Sequence, residues 1–466
     1  MLGMHARGRR LRIFKSALAG IALCALVASV PVRPAPAATP TGGYGIASWV
    51  APKAYLNMPA RADGPLPQLL SQTGAFADTA HLVPTAGLIP YDLIVAFWSD
   101  GATKSRYMAL PKGAKIGSTP DGEWIFPAGT VFVKTFELPT DEAHPEVRRR
   151  LETRLLVRDD QGGVYGVTYK WRPDNSDAEL LAASLTENIQ IHTRAGATRE
   201  QTWYYPSREN CLTCHNSHTS GVLGVKARQL NRPMAYPSGV TDNELHTLNH
   251  LQLLNPAITA ADLRTLPTLA ALNDDSRSLE DRARSYLDAN CGHCHRPGGT
   301  VAYFDARYST PLDHQELIDG PILINEGIDR PHVVAPHDIW RSIAYMRIDT
   351  NGDIRMPPLA RQTIDEQGVK LLGDWINSLP GKDVLVPPKI APDGGTFSQP
   401  LTVTLSSSDA GAQIRYTLDG SAPGPGDVLY SGPIRLAGPT VVRARAYKDG
   451  MTRSITTESV FIVGQQ

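Results

Sequence analysis

Apolar and polar residues alternate in short runs between residues 85 and 205. Trp124-Ile125-Phe126-Pro127 leads into Thr130-Val131-Phe132-Val133-Lys134-Thr135-Phe136, and 153–158 and 164–171 keep the same β-branched and aromatic character. Asp121-Gly122, Ala128-Gly129 and Gln161-Gly162-Gly163 punctuate the runs as turns. From 206 the period lengthens. Leu245, Leu248, Leu251 and Leu254 recur at helical spacing and predict a helix over 242–254. Ser278-Leu279-Glu280-Asp281 has the form of a capping box and predicts a helix running to Asn290. Thr363-Ile364-Asp365-Glu366 opens another, with Val369, Leu372, Trp375, Ile376 and Leu379 as its apolar stripe and Pro380-Gly381 as its stop. A further helix is expected over 338–347. Short alternating runs return at 401–405, 413–418, 440–448 and 458–463, with turns at Asp419-Gly420 and Asp449-Gly450.

These patterns predict a multidomain α+β chain. An extension at 39–84 precedes an antiparallel β-sandwich-like zone at 85–205. A segment at 206–275 leads to a mainly α domain at 276–380. A linker at 381–387 then joins a small β-sandwich at 388–466. With 466 residues, every part is long enough to bury a core.

The N-terminus changes both location and charge. Arg7, Arg9, Arg10, Arg12 and Lys15 precede an apolar stretch at 17–30 and the small-residue run Ala35-Pro36-Ala37-Ala38. Residues 1–38 therefore read as a secretory signal peptide cleaved near Ala37 or Ala38, and the mature protein is expected in the periplasm or outside the cell. The apolar stretch is short of the ~20 residues a membrane span needs, and no later segment reads as transmembrane. The whole chain is neutral, with 46 basic and 46 acidic residues. The signal segment holds six Lys/Arg and no acid, so the mature chain is mildly acidic. Nucleic acid and anionic membrane are disfavoured as partners.

Chemistry concentrates in two pentapeptides, Cys211-Leu212-Thr213-Cys214-His215 and Cys291-Gly292-His293-Cys294-His295. Both fit Cys-x-x-Cys-His, the attachment signature of c-type haem: two thiols take the haem vinyl groups and the adjoining imidazole takes iron. The fifth cysteine, Cys24, falls in the signal segment, so none remains for a disulfide. Two Cys pairs also suit one four-cysteine zinc site. Zinc gives no reason for a His directly after the second Cys in both copies. Two covalently attached haem c groups are the expected cofactors.

Residues 276–380, with helix, Cys-x-x-Cys-His, Arg355-Met356-Pro357-Pro358 and a closing helix, resemble a class I cytochrome c domain. The resemblance implies Met356 as the second iron ligand opposite His295. Met346, in the expected 338–347 helix, reads as core. For the first haem the residues available as sixth ligand are Met234, in the stiff Arg232-Pro233-Met234-Ala235-Tyr236-Pro237 loop, and His246 and His250, one turn apart. His218 sits too close to His215 in the chain to reach the opposite side of the iron. An open sixth position is the other expectation.

Other stretches resemble a bacterial family of two-haem periplasmic proteins with no assigned reaction. They are Leu70-Ser71-Gln72-Thr73-Gly74-Ala75-Phe76, Trp98-Ser99-Asp100-Gly101-Ala102-Thr103-Lys104-Ser105-Arg106, Leu151-Glu152-Thr153-Arg154, Gln229-Leu230-Asn231-Arg232 and Tyr286-Leu287-Asp288-Ala289-Asn290-Cys291. Asp100, Lys104 and Arg106 are the polar groups to place near the first haem; taken alone they read as a solvated turn with surface ion pairs. Residues 388–463, with Pro392-Asp393-Gly394-Gly395-Thr396-Phe397 and Ile414-Arg415-Tyr416-Thr417-Leu418-Asp419-Gly420-Ser421, resemble the C-terminal module of chitobiase and β-hexosaminidase proteins. That likeness implies a small immunoglobulin-like sandwich.

Electron transfer with periplasmic redox partner proteins is the first expectation of function. A two-haem peroxidase or oxygenase with an open first iron is the second. In the third, the C-terminal module holds a glycan or protein partner and haem is secondary.

Overall fold

The structure, a computed structural model, describes residues 43–300 and 302–464. The expected signal peptide and Cys24 lie outside them. At 29% strand and 15% helix the fold is mostly β, built from several sheets. The described residues form two compact units. One comprises 43–323 and 332–379, the other 324–331 and 380–464. Apart from 324–331 and Pro380, the residues of the three zones expected between 85 and 380 fall in the first of these units.

That unit is organised by a six-stranded antiparallel meander of β1 (Ile89–Pro90), β2 (Thr103–Ala109), β3 (Val131–Pro139), β4 (Arg148–Arg158), β5 (Val164–Trp171) and β6 (Ala178–Leu180). The pleat sends Val131, Val133, Leu155, Val157, Val167 and Tyr169 to one face, where they meet Leu56, Leu70 and Phe76. Residues 43–84 are thus a cover for the sheet rather than an appended extension. The opposite face carries Met108, Phe132 and Leu156 against Val222, Leu230, Leu245 and Leu248. Each such side chain contributes about 1.5–3 kcal/mol on burial. Residues far apart in the chain are held on both sides of one sheet for this reason.

A hairpin of β7 (Leu185–His192) and β8 (Thr198–Tyr205) packs Ile189, Ile191, Trp203 and Tyr205 on Phe136, Leu138 and Leu151. The expected sandwich is therefore lopsided. A full sheet faces a two-stranded hairpin over part of its area, and loops and helices elsewhere.

Helices form at α1 (Arg208–Cys214), α2 (Glu244–His250), α3 (Leu279–Asn290), α4 (Ile343–Ile348) and α5 (Glu366–Ser378). α3 and α5 start where the sequence predicts: Ser278 Oγ accepts from Asp281 N, and the Asp365 side chain accepts from Gly368 N. α2 is shorter than the predicted 242–254 because Asn243 caps it late and Gln252 takes φ 56°. α4 starts later than expected, since the Asp338 carboxylate accepts from Trp340 N and Arg341 N and holds a turn there. The mainly α domain expected at 276–380 is not what forms. Helices of 12, 6 and 13 residues are separated by long irregular stretches around the cluster of Leu287, Val334, Leu372 and Trp375.

The second unit is a two-sheet β module. β9 (Lys389–Ala391), β11 (Leu401–Ser406) and β14 (Ile434–Leu436) form one sheet, in the order β9-β11-β14. β10 (Gly395–Phe397), β12 (Gln413–Thr417), β13 (Val428–Leu429), β15 (Thr440–Tyr447) and β16 (Thr457–Val463) form the other, in the order β10-β16-β15-β12-β13. Val403, Ile414, Val442, Ala444 and Phe461 fill the space between them. Asp329, from the 324–331 segment, bridges Arg445 and Arg453 of this module. Among the described residues, no helix is long and apolar enough to cross a membrane.

Candidate functional site

The first Cys-x-x-Cys-His is presented by the sheet. β8 ends at Tyr205, the Thr168 hydroxyl on β5 donates to Pro206 O at 3.0 Å, and Ser207 caps α1 in a reciprocal pair with Asn210. Cys211 and Cys214 thus lie on α1, with His215 as its C-terminal cap. Gly166 on β5 permits the approach: a Cβ there would fall 2.7 Å from Cys211 Sγ. His215 Nδ1 donates to Gly221 O at 2.9 Å, which leaves Nε2 free to act as a ligand. Burial holds the His215 pKa down to about 4, so the imidazole is neutral.

The second motif follows α3, whose cap is Cys291. Cys291 O accepts from both Cys294 N and His295 N, which closes the pentapeptide into a tight loop. Trp98 anchors it: its N–H donates to Asn290 Oδ1 at 2.8 Å and its indole to Thr363 O at 3.2 Å. The His295 ring stacks on Phe304 at 4.3 Å between centroids, and its buried Nδ1 has no hydrogen-bond partner. Burial lowers its pKa to about 4.

The fold brings the two motifs together. Donor atoms of Cys214, His293 and Cys294 lie within 4.8 Å of one another. Hydrogen bonding from Cys214, then from His293, draws the Cys294 pKa down to about 4, while the Cys214 thiol that donates is pushed up. Three such donors suit a single metal ion. Structural zinc takes four protein ligands, and a site of these three leaves His215 and His295 without a role. No further His, Cys, Asp or Glu joins the group among the described residues.

Beside the first motif is a partly enclosed cleft. Cys211, Cys214 and His215 line one side, Leu93, Val222 and Leu223 supply apolar wall, and His293 reaches in from the second motif. The sheet contributes Arg106, Lys134 and Arg154. Lys104, two residues before Arg106 on β2, donates to Phe97 O at 2.7 Å, and burial lowers its pKa to about 7.

Met356 sits half-buried in a loop organised by Arg361. The Arg361 side chain is 2% exposed and donates to the carbonyls of Met356, Arg347, Ile348 and Thr363. Asp100 secures the same loop by accepting from Gln362 N, Thr363 N and the Thr363 hydroxyl. Asp100 and Arg106 are therefore buried, 4% and 6% exposed, and the solvated-turn reading of 98–106 is corrected. Met346 lies on α4.

None of the other ligands considered for the first haem lines the cleft. Met234 is in a short strand (Pro233–Ala235) paired with Asp242. His246 bonds Asp242 at 2.9 Å, and His250 stacks on Tyr44 and bonds Ala47 O. His218 offers its carbonyl to Arg296. His293, Lys134 and Arg154 are the cleft residues that sequence reasoning missed. The one available signal was Lys134, a lone cation inside the apolar run Val131-Phe132-Val133-Lys134-Thr135-Phe136.

Residues 392–458 match the chitobiase/beta-hexosaminidase C-terminal domain. The match covers most of the β module of the second unit and lies outside both Cys-x-x-Cys-His motifs. No curated protein and no solved structure matches the chain. Within this chitobiase-type module Phe461 is buried, and Phe397, Tyr416 and Tyr430 pack against the core, while Tyr447 donates to Pro423 O. Phe397, Tyr416, Tyr430 and Tyr447 are half-buried.

Proposed function

We propose that this chain is a periplasmic two-haem c-type cytochrome that transfers electrons. The observation that carries the reading is the meeting of the two Cys-x-x-Cys-His motifs at Cys214, His293 and Cys294. Two redox groups fixed so close together suit passage of an electron between them, which a pair of independent carrier domains would not need.

The residues fit the group. At the first motif His215 has its Nδ1 proton engaged and Nε2 free, with a cleft beside both thiols. At the second, the buried unpaired Nδ1 of His295 marks a ring held by stacking on Phe304. Cys211, Cys214 and His215 would hold one haem, and Cys291, Cys294 and His295 the other, with Met356 as the further ligand there. Haem so held supplies one-electron chemistry at a potential set by its axial ligands. The chain's part is to keep both imidazoles neutral by burial, exclude water behind the sheet, and hold the Met356 loop through Arg361 and Asp100.

A second reading has a specific observation in its favour. The cleft beside His215 is lined by none of Met234, His246 and His250, which favours an open first iron and a redox enzyme of peroxidase or oxygenase type. Contact with a glycan or protein through the chitobiase-type module remains an accessory role in either reading. Visible spectra of the dithionite-reduced protein with and without carbon monoxide separate the two. Bands unmoved by the gas fit the electron carrier, and a partial Soret shift fits the open iron.

A further inference from the structure

The sheet face that lines the cleft carries an arrangement that sheets ordinarily avoid. Arg106 on β2 pairs in register with Lys134 on β3, and Lys134 with Arg154 on β4. Three cations stand side by side across adjacent strands spaced about 4.8 Å apart. Like charges directly opposite one another are destabilising.

The outer two are compensated. Arg106 Nη1 meets Asp92 Oδ1 at 2.5 Å, and Arg154 Nη2 meets Glu152 Oε1 at 2.5 Å. Elsewhere in the lining, Lys226 pairs with Asp288 and Arg296 with Glu123. Among the described residues, Lys134 has no hydrogen bond or ion pair, only a ring contact. Its ammonium lies 4.9 Å from the Phe136 ring, and the Arg154 guanidinium 4.4 Å from the same ring. The Nε atoms of Arg106 and Arg154 are buried and unpaired. The wall therefore holds an amine that no acid pairs with directly, Glu152 being engaged by Arg154, and that burial together with Arg106, Lys104 and Arg154 draws well below the usual lysine range. Two guanidinium groups flank it.

We propose that Arg106, Lys134 and Arg154 form a binding site for a small oxyanion or carboxylate in the cleft beside His215. Long side chains from three neighbouring strands can converge on one group with two or three oxygens, each accepting from a different side chain. Charge-assisted bonds from guanidinium and ammonium to such a group are the strong class. The ligand has two possible sources: a dissolved anion, or a carboxylate belonging to a group resident in the cleft. The site is built of the chain's own side chains; its dissolved-anion form stands apart from the haem reading, and its resident-carboxylate form rests on it.

The test uses the full chain as purified, its Lys134→Met variant, which keeps the apolar stem and removes the charge, and its Lys134→Arg variant, which keeps the charge. Thermal melts are followed against potassium acetate at constant ionic strength made up with chloride. Haem content is measured on the same samples, so failure of the haem reading is seen separately. A saturable rise in Tm for the parent, kept in Lys134→Arg and weakened at least tenfold in midpoint in Lys134→Met, supports a dissolved anion. No acetate response, with Lys134→Met less stable than the parent and Lys134→Arg restored, supports a resident carboxylate. An equal acetate response in parent and Lys134→Met overturns the site. So does the lack of any response when Lys134→Met is as stable as the parent or more so, or when Lys134→Arg fails to restore stability.

Discussion

Cys214 and Cys294, from opposite ends of the region that carries both motifs, bring their sulfurs within 4.8 Å of each other and of a ring nitrogen of His293. Two scaffolds meet at that point. α1 is laid against β5, and the loop after α3 is anchored by Trp98. The predictions below test the parts that hold this junction in place.

Gly166→Ala puts a methyl group 2.7 Å from Cys211 Sγ and 2.8 Å from Cys211 Cβ. One of the two must move, at a cost of about 1–3 kcal/mol for overpacking. The expected outcome is a lower Tm and incomplete haem attachment at the first motif, with a species one haem lighter in the intact mass. Full attachment at an unchanged Tm contradicts the packing described.

Arg361→Lys leaves several of four backbone carbonyls without a donor, because an ammonium cannot reproduce the planar fork. Each buried carbonyl so orphaned costs about 1–3 kcal/mol. Faster amide exchange at 356–363, with exchange in β2–β4 unchanged, is the expected signature.

Met356→Ala removes the proposed further ligand of the second iron. In a potentiometric titration of the haem-loaded protein, one of two potentials should fall while the other holds. A titration that superimposes on the parent removes Met356 from the site.

Glu244 is a buried carboxyl whose Oε2 accepts from Asp92 N, while Oε1 has no hydrogen bond and only a long 3.9 Å ion pair with Arg232 Nε. Burial raises its pKa from 4.5 to about 8. The folded state then holds a proton that the unfolded state has lost between those values, so stability falls as pH rises from about 4.5 to 8. Glu244→Gln removes that dependence. Its stability relative to the parent should grow across this window by an amount on the order of a few kcal/mol. Denaturant melts at pH 5 and pH 8 measure the difference, and an equal difference at both contradicts the shift.

Much of this was legible in local pattern. The strands at 131–139 and 164–171, the caps at Ser278 and Asp365, and the alternating strands of the chitobiase-type module follow from residue spacing and side-chain chemistry. What the sequence did not reveal was long-range. Residues 43–84 and 222–258 look like an extension and a separate segment, because only the pleat of the sheet shows that it has two apolar faces to cover. The role of Asp100 depends on donors from Gln362 and Thr363, distant in the chain. His293 occupies a variable position of its motif, and Lys134 is a single cation in an apolar strand. Their place in one cleft comes from register and packing, which local periodicity does not carry.

The central claim, two haems held at adjoining Cys-x-x-Cys-His motifs, is tested most directly by the intact mass of the protein from a host able to mature c-type cytochromes. The account predicts the processed polypeptide plus two haems under denaturing conditions, with Cys211→Ala/Cys214→Ala and Cys291→Ala/Cys294→Ala each losing one. A bare polypeptide mass, with zinc released on denaturation, would contradict it and assign Cys214, His293 and Cys294 to a single metal ion instead.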